Sequence, residues 1–158
     1  MDIDYNDATV NCIIRPQPSE VGRYFDEWVN INSDLWQKER IVQIRRYQSI
    51  ECRDGMSMDT SSACWQSIDV FPLTGDLPDK KTGDTRQYLV GGVCFKTYRE
   101  GKVVLEFCWI HPFWRNRGLL KKNWEIFEDK FGDFFVSNPR TKSMKGFLNS
   151  IKYTAPQT

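Results

Sequence analysis

Two runs dense in β-forming residues stand side by side past the middle of the chain, Tyr88-Leu89-Val90-Gly91-Gly92-Val93-Cys94-Phe95 and Val103-Val104-Leu105-Glu106-Phe107-Cys108-Trp109-Ile110. Arg99-Glu100-Gly101-Lys102 separates them, and a glycine free to take positive φ predicts a hairpin turn there. The two runs are therefore read as antiparallel strands. Pro112 stops the second, and apolar residues then recur at helical spacing at Leu120, Trp124, Phe127 and Phe131. Gly132 stands where such a helix would end, so the pattern predicts a helix over about 118–131. Phe134-Phe135-Val136 reads as a short strand, and Pro139 opens a further helical stretch with Met144, Phe147, Leu148 and Ile151 on one side.

The first half is less regular. Val10, Cys12, Ile13 and Ile14 make a short strand over 9–15, ended by Pro16 and Pro18. Val21, Tyr24, Phe25, Trp28 and Val29 have helical spacing, with Ser19 as a cap. Leu35, Trp36, Ile41, Val42 and Ile44 fit a helix or a strand, with Ser33 or Asp34 available as a cap. From Asp54 to Arg86, glycine, proline, Asp and Ser predict a loop-rich middle, with a strand over 67–71 inside it. The coarse order is β-α-(α or β)-loop-β-β-α-β-α, without internal repeats.

A chain of 158 residues is the size of one domain, residues 1–158. Lys plus Arg number 22 against 21 Asp plus Glu, so no net field draws the molecule to polyanions or membranes. A patch of Lys38, Arg40, Arg45 and Arg46 joined to Arg115 could touch nucleic acid, but the near-zero charge speaks against it and for a solvated face. The amino terminus lacks a signal peptide's basic region and apolar run, and no apolar run reaches membrane-spanning length; the cytoplasm is the expected compartment. Cys12, Cys52, Cys64, Cys94 and Cys108 form an odd set without a C-x-x-C pair and read mainly as buried thiols. One histidine and unclustered cysteines argue against a metal site.

The chemistry gathers between the second strong strand and its helix, in Ile110-His111-Pro112-Phe113-Trp114-Arg115-Asn116-Arg117-Gly118-Leu119-Leu120. A helix amino terminus leaves backbone N–H groups unpaired and carries partial positive charge, which suits a phosphate. Arg115 and Arg117 place two cations at that end, where a dipole prefers carboxylates. Gly118 has no side chain where phosphate would approach. The competing reading is a strand-to-helix turn with solvated arginines. Walker A and G-x-G-x-x-G spacing are both absent, against nucleoside triphosphates and dinucleotides.

The same stretch resembles the signature V-x-P-x-x-[RQ]-x-x-G-x-[GA] of the GNAT superfamily of N-acetyltransferases. The resemblance runs over about 88–153, ending in Phe147-Leu148-Asn149-Ser150-Ile151-Lys152-Tyr153, similar to the family's F-Y-x-x-x-G-F. It implies an α+β fold with a central, mostly antiparallel sheet flanked by helices. It also implies an acetyl-CoA-binding half at 88–153 and a variable, acceptor-side half at 1–87. Leu120 replaces a glycine or alanine, Leu148 stands where many members have a proton-donating tyrosine, and Lys152 stands where many have glycine.

By that resemblance acetyl-coenzyme A is the cosubstrate and no metal is needed. Its pantetheine would pair with backbone near Trp109, Ile110 and His111, and its pyrophosphate with the N–H groups of Arg115, Asn116, Arg117, Gly118, Leu119 and Leu120. Lys121 and Lys122 could reach the adenosine phosphate. The acceptor would be a primary amine of a small molecule or a protein; a homodimer is left open. Glu106 is the first candidate base, the one charged residue in its strand, which alternation groups with Cys108 and Ile110. His111, the one histidine, is the second. Each has a bland alternative, a solvent-facing strand glutamate and a packed imidazole. Ser143 and Tyr153 are the candidate acids. Cys94 and Cys108 read as packing rather than nucleophiles. The alternative function is a non-catalytic GNAT-like module that binds acetyl-CoA or a protein partner, which Leu148 favours.

Overall fold

In the computed structural model, residues 24–25, 28–78, 83, 85–138 and 140–157 are described. Helix α1 (Leu35–Cys52) is followed by one helical turn, α2 (Ser62–Trp65), and by strands β1 (Ile68–Pro78), β2 (Thr85–Thr97) and β3 (Val103–Ile110). A 3-10 turn (Pro112–Trp114) then leads into α3 (Leu119–Phe131), β4 (Phe135–Val136) and α4 (Lys142–Ser150). The sheet runs β1-β2-β3-β4, antiparallel except for the parallel pair β3/β4. The fold is mixed α and β with a mostly antiparallel sheet, as expected.

The ambiguous segment after Asp34 is a helix. Asp34 occupies the cap position in extended conformation, and Trp36, Ile41 and Ile44 go into the core one and two turns apart. The strand expected at 9–15 and most of the first expected helix lie outside the described residues. At Trp28 and Val29 that helix is corrected: Val29 exchanges backbone hydrogen bonds of 2.8 Å with Val70 in an isolated antiparallel bridge. An apolar pair reads alike in either period, and pairing to β1 decides it. The loop-rich middle is corrected as well, because β1 continues through Pro72 and Gly75. Gly75 is needed there: a Cβ would lie 2.6 Å from the Trp114 indole, which packs on the strand at that point.

Two faces of the sheet are covered. On one, α3 contributes Trp124, Phe127 and Phe131 to an aromatic cluster with Trp28, Phe71 and Phe95, with ring centroids 4.8–5.8 Å apart and mostly edge-on. Phe127 is fully buried, so truncation to Ala would cost ~3–5 kcal/mol. On the other face Ile41 of α1 lies over Gly92, and Tyr47 stacks on Trp109 at 6.3 Å. The hairpin turn forms as read, with Gly101 at φ 84° and Tyr98 N–H bonded to the Lys102 carbonyl.

Candidate functional site

The parallel contact between β3 and β4 is brief. It spans Val104↔Phe135 and Leu105↔Val136, after which Ser137 donates its N–H to the Leu105 carbonyl (3.0 Å) and its hydroxyl to the Glu106 carbonyl (2.9 Å). The chain then leaves for α4, and from Phe107 to Ile110 the outer edge of β3 has no strand partner among the described residues. The two strands thus form a fork whose crotch is at Glu106.

Glu106 is also the extra residue of a β-bulge, since Cys94 pairs with Phe107 and Phe95 with Leu105. A bulge breaks alternation and re-aims its side chain. The alternation that grouped Glu106 with Cys108 and Ile110 is interrupted at Glu106 itself. Its half-buried carboxylate accepts the Tyr98 hydroxyl at 2.5 Å, and this hydrogen bond raises the Tyr98 phenol above its ordinary pKa. Tyr98 also lines an open cleft of about 740 Å³ with Asn30, Trp65, Asp69, Lys96 and Arg99. Cleft and candidate base are joined through one phenol.

At the other end of β3, the loop reaches α3 through Asn116 (φ 60°) and Gly118 (φ 77°). Gly118 is the helix cap residue, with no side-chain cap bond and no acidic residue in the first turn. A Cβ at Gly118 would meet nothing within 4 Å, so its backbone conformation rather than crowding calls for glycine. The Gly118 carbonyl takes the first helical bond from Lys122 N–H (2.9 Å), while the amides of Leu119, Leu120 and Lys121 precede any intrahelical partner. Arg117 is exposed, its guanidinium 6.0 Å from the Trp114 ring, and Lys121 and Lys122 are exposed beside it. Leu119 is half-buried, and Leu120 is buried in the core, which keeps its bulk away from the helix end. An uncapped helix end among cations fits a pyrophosphate.

The edge of β3 fits a pantetheine less openly. The Cys108 carbonyl accepts Gln48 Nε2 (3.1 Å), the Ile110 carbonyl accepts Arg115 Nε (2.7 Å), and His111 N–H is bonded inward to the Val90 carbonyl (2.7 Å). The Arg115 side chain is not the solvated cation of the competing reading. Its two Nη atoms fork onto the Glu51 carboxylate at 2.8 and 2.7 Å, and Trp109 Nε1 donates to the same carboxylate at 2.7 Å. Glu51 and Gln48 had no signal in the sequence. They lie about sixty residues away on α1, a helix whose polar residues form no pattern that singles them out.

His111 is fully buried. Burial, with the Arg115 charge beside it, brings its imidazole down to about 4, so it is neutral at physiological pH and weakly basic. The imidazole lies in the packed interior, the alternative weighed beside its role as a base. Burial likewise pushes the Cys108 thiol up to about 12 and raises Cys94 further, against a nucleophilic role for either. Leu148 is a core residue; Tyr153 donates its hydroxyl to the Phe134 carbonyl (2.8 Å); Ser143 is exposed. Among the described residues no cluster of His, Cys, Asp and Glu could hold a metal ion, and no helix is long and apolar enough to cross a membrane.

No family model and no curated protein matches the chain. Solved structures do. An aminoglycoside acetyltransferase from an uncultured soil metagenomic sample, in complex with sisomicin, matches 84% of this chain and 89% of its own at 17% identity and a TM-score of 0.52. The same enzyme with trehalose gives 16% identity and 0.51 over the same shares. A ribosomal-protein-alanine N-acetyltransferase from Brucella melitensis biovar Abortus 2308 gives 13% identity and 0.49, over 84% of this chain and 92% of its own. The chain has the fold of the soil acetyltransferase, which is the GNAT fold anticipated from the loop signature.

Proposed function

We propose that this chain transfers an acetyl group from acetyl-coenzyme A to a primary amine in the cytoplasm, with 88–153 holding the cosubstrate and 1–87 facing the acceptor. One observation carries the reading. The open edge of β3 leads from the bulged Glu106 straight to the uncapped, cation-flanked amino terminus of α3. A strand edge can align an amide-bearing arm, and the helix end can hold the pyrophosphate at its far end. The soil acetyltransferase of the same fold supports acyl transfer as the class of reaction.

Bound acetyl-coenzyme A supplies an acyl group activated as a thioester. The amides of Leu119, Leu120 and Lys121 bind its phosphate oxygens, with Arg117, Lys121 and Lys122 adding charge around them. Glu106, at the fork, takes the proton from the incoming amine as the new C–N bond replaces the thioester C–S bond, and the departing coenzyme A thiolate takes its proton from water. Tyr98 keeps that carboxylate oriented and gives it a route to the cleft on the acceptor side.

A second reading, a non-catalytic acetyl-CoA-binding module, draws on the two outward carbonyls of β3 already bonded to Gln48 and Arg115 and on Leu148 in the core. Calorimetric titration with acetyl-coenzyme A, followed by a thiol-release assay over a panel of small amines and amino-terminal peptides, tests both. Binding with amine-dependent thiol release is the expected result. Binding without release on every amine favours the second reading, and no binding overturns both.

A further inference from the structure

Arg115 is one of the two cations read at the start of α3, yet its side-chain donors point into the protein. Nε is bonded to the Ile110 carbonyl at 2.7 Å, and Nη1 and Nη2 to the two oxygens of Glu51 at 2.8 and 2.7 Å. The guanidinium lies 5.8 Å from the Trp109 ring, whose Nε1 binds the same carboxylate. One carboxylate in the last turn of α1 therefore holds both the end of β3 and the start of the phosphate loop, across 64 residues of sequence.

Resting on the acetyl-coenzyme A reading above, we propose that Glu51 and Arg115 are positioning residues, a tether that sets the loop's shape, and that Arg115 is not itself a phosphate ligand. A planar fork matched to a carboxylate is a directional bond, and its partner Nε bond fixes the guanidinium relative to the end of β3. If Arg115 turned to a phosphate, it would abandon both bonds and leave an anionic Glu51 beside an anionic ligand. Glu51 is ionised at neutral pH, because the Arg115 hydrogen bonds hold its carboxyl below the ordinary range. The pair is neutral as a unit, so the charge that meets phosphate comes from Arg117, Lys121 and Lys122.

Acetyl-coenzyme A affinity measured by calorimetry at several salt concentrations, for wild type, Glu51→Gln, Arg115→Gln, the double variant and Arg115→Lys, tests this. A tether predicts that each single glutamine variant weakens binding by about tenfold and that the double is no weaker than either single. It also predicts that the salt dependence stays that of wild type and that Arg115→Lys, which keeps the charge but not the fork, fails to rescue. The proposal is overturned if Arg115→Gln flattens the salt dependence while Glu51→Gln does not, if the two losses multiply, or if Arg115→Lys binds like wild type. Thermal melting of each variant identifies any that fails to fold, and Arg115→Lys then decides by itself. Absence of binding by the wild-type chain would instead overturn the acetyl-coenzyme A reading, and the proposal with it.

Discussion

Replacing Gly118 with alanine isolates what its backbone conformation contributes. The residue sits at φ 77° and a Cβ there would meet nothing within 4 Å, so crowding adds nothing to the effect. A non-glycine residue in this left-handed region costs ~1–2 kcal/mol. In a domain of this size that lowers the melting temperature by ~2–8 °C. Asparagine tolerates the region better, so Gly118→Asn should recover part of the loss. If the alanine variant relieves its strain by turning the loop, amides at the start of α3 swing off their target. Losing one hydrogen bond to a charged phosphate is worth ~1.5–3 kcal/mol, or about 10- to 100-fold in acetyl-coenzyme A affinity. Thermal unfolding and calorimetry on the three proteins give both quantities. An alanine variant as stable as wild type would refute the positive φ, and one whose loop amides move by NMR without loss of affinity would refute the cradle.

Further predictions concern the base, the histidine and the thiols. Glu106→Gln should lower kcat by ~10²- to 10⁴-fold while leaving acetyl-coenzyme A affinity and the melting temperature near wild type, as steady-state kinetics and calorimetry would show. His111 has a folded pKa of about 4 against 6.5 unfolded, so the unfolded chain binds the extra proton first as pH falls. Stability from this burial is full above about pH 6.5 and is lost progressively down to about pH 4, with a ceiling of roughly 3 kcal/mol. Urea unfolding between pH 7 and 4 should show that slope, and His111→Gln should flatten it; equal slopes would contradict the burial argument. Among Cys52, Cys64, Cys94 and Cys108, iodoacetamide should label exposed Cys52 first and reach Cys94 and Cys108 only after denaturation, as peptide mass spectrometry would report.

What could be read in the sequence was local. Val103–Ile110 is bounded by a turn glycine and by Pro112, and α3 by Gly118 and Gly132, so periodicity and punctuation placed these elements within a residue or so. The loop between them was legible for the same reason. What stayed hidden depended on contacts between distant segments. β1 passes through Gly75 because an indole some forty residues later packs there, and no local preference predicts a strand at such a glycine. The bulge that leaves Glu106 without a partner on β2 shows itself only in the pairing of the two strands. Arg115 reads as a solvated cation until α1 brings Glu51 against it, and His111 reads as a titratable group until the fold buries it.

If coenzyme A lies along the open edge of β3 with its pyrophosphate on the amino terminus of α3, amide NMR will report both contacts. Titrating the labelled chain with acetyl-coenzyme A should shift the backbone amides of Arg117 to Lys121 most, with smaller shifts at Cys108 and Ile110. Saturating binding whose shifts lie elsewhere, or no shifts at all, would contradict that placement.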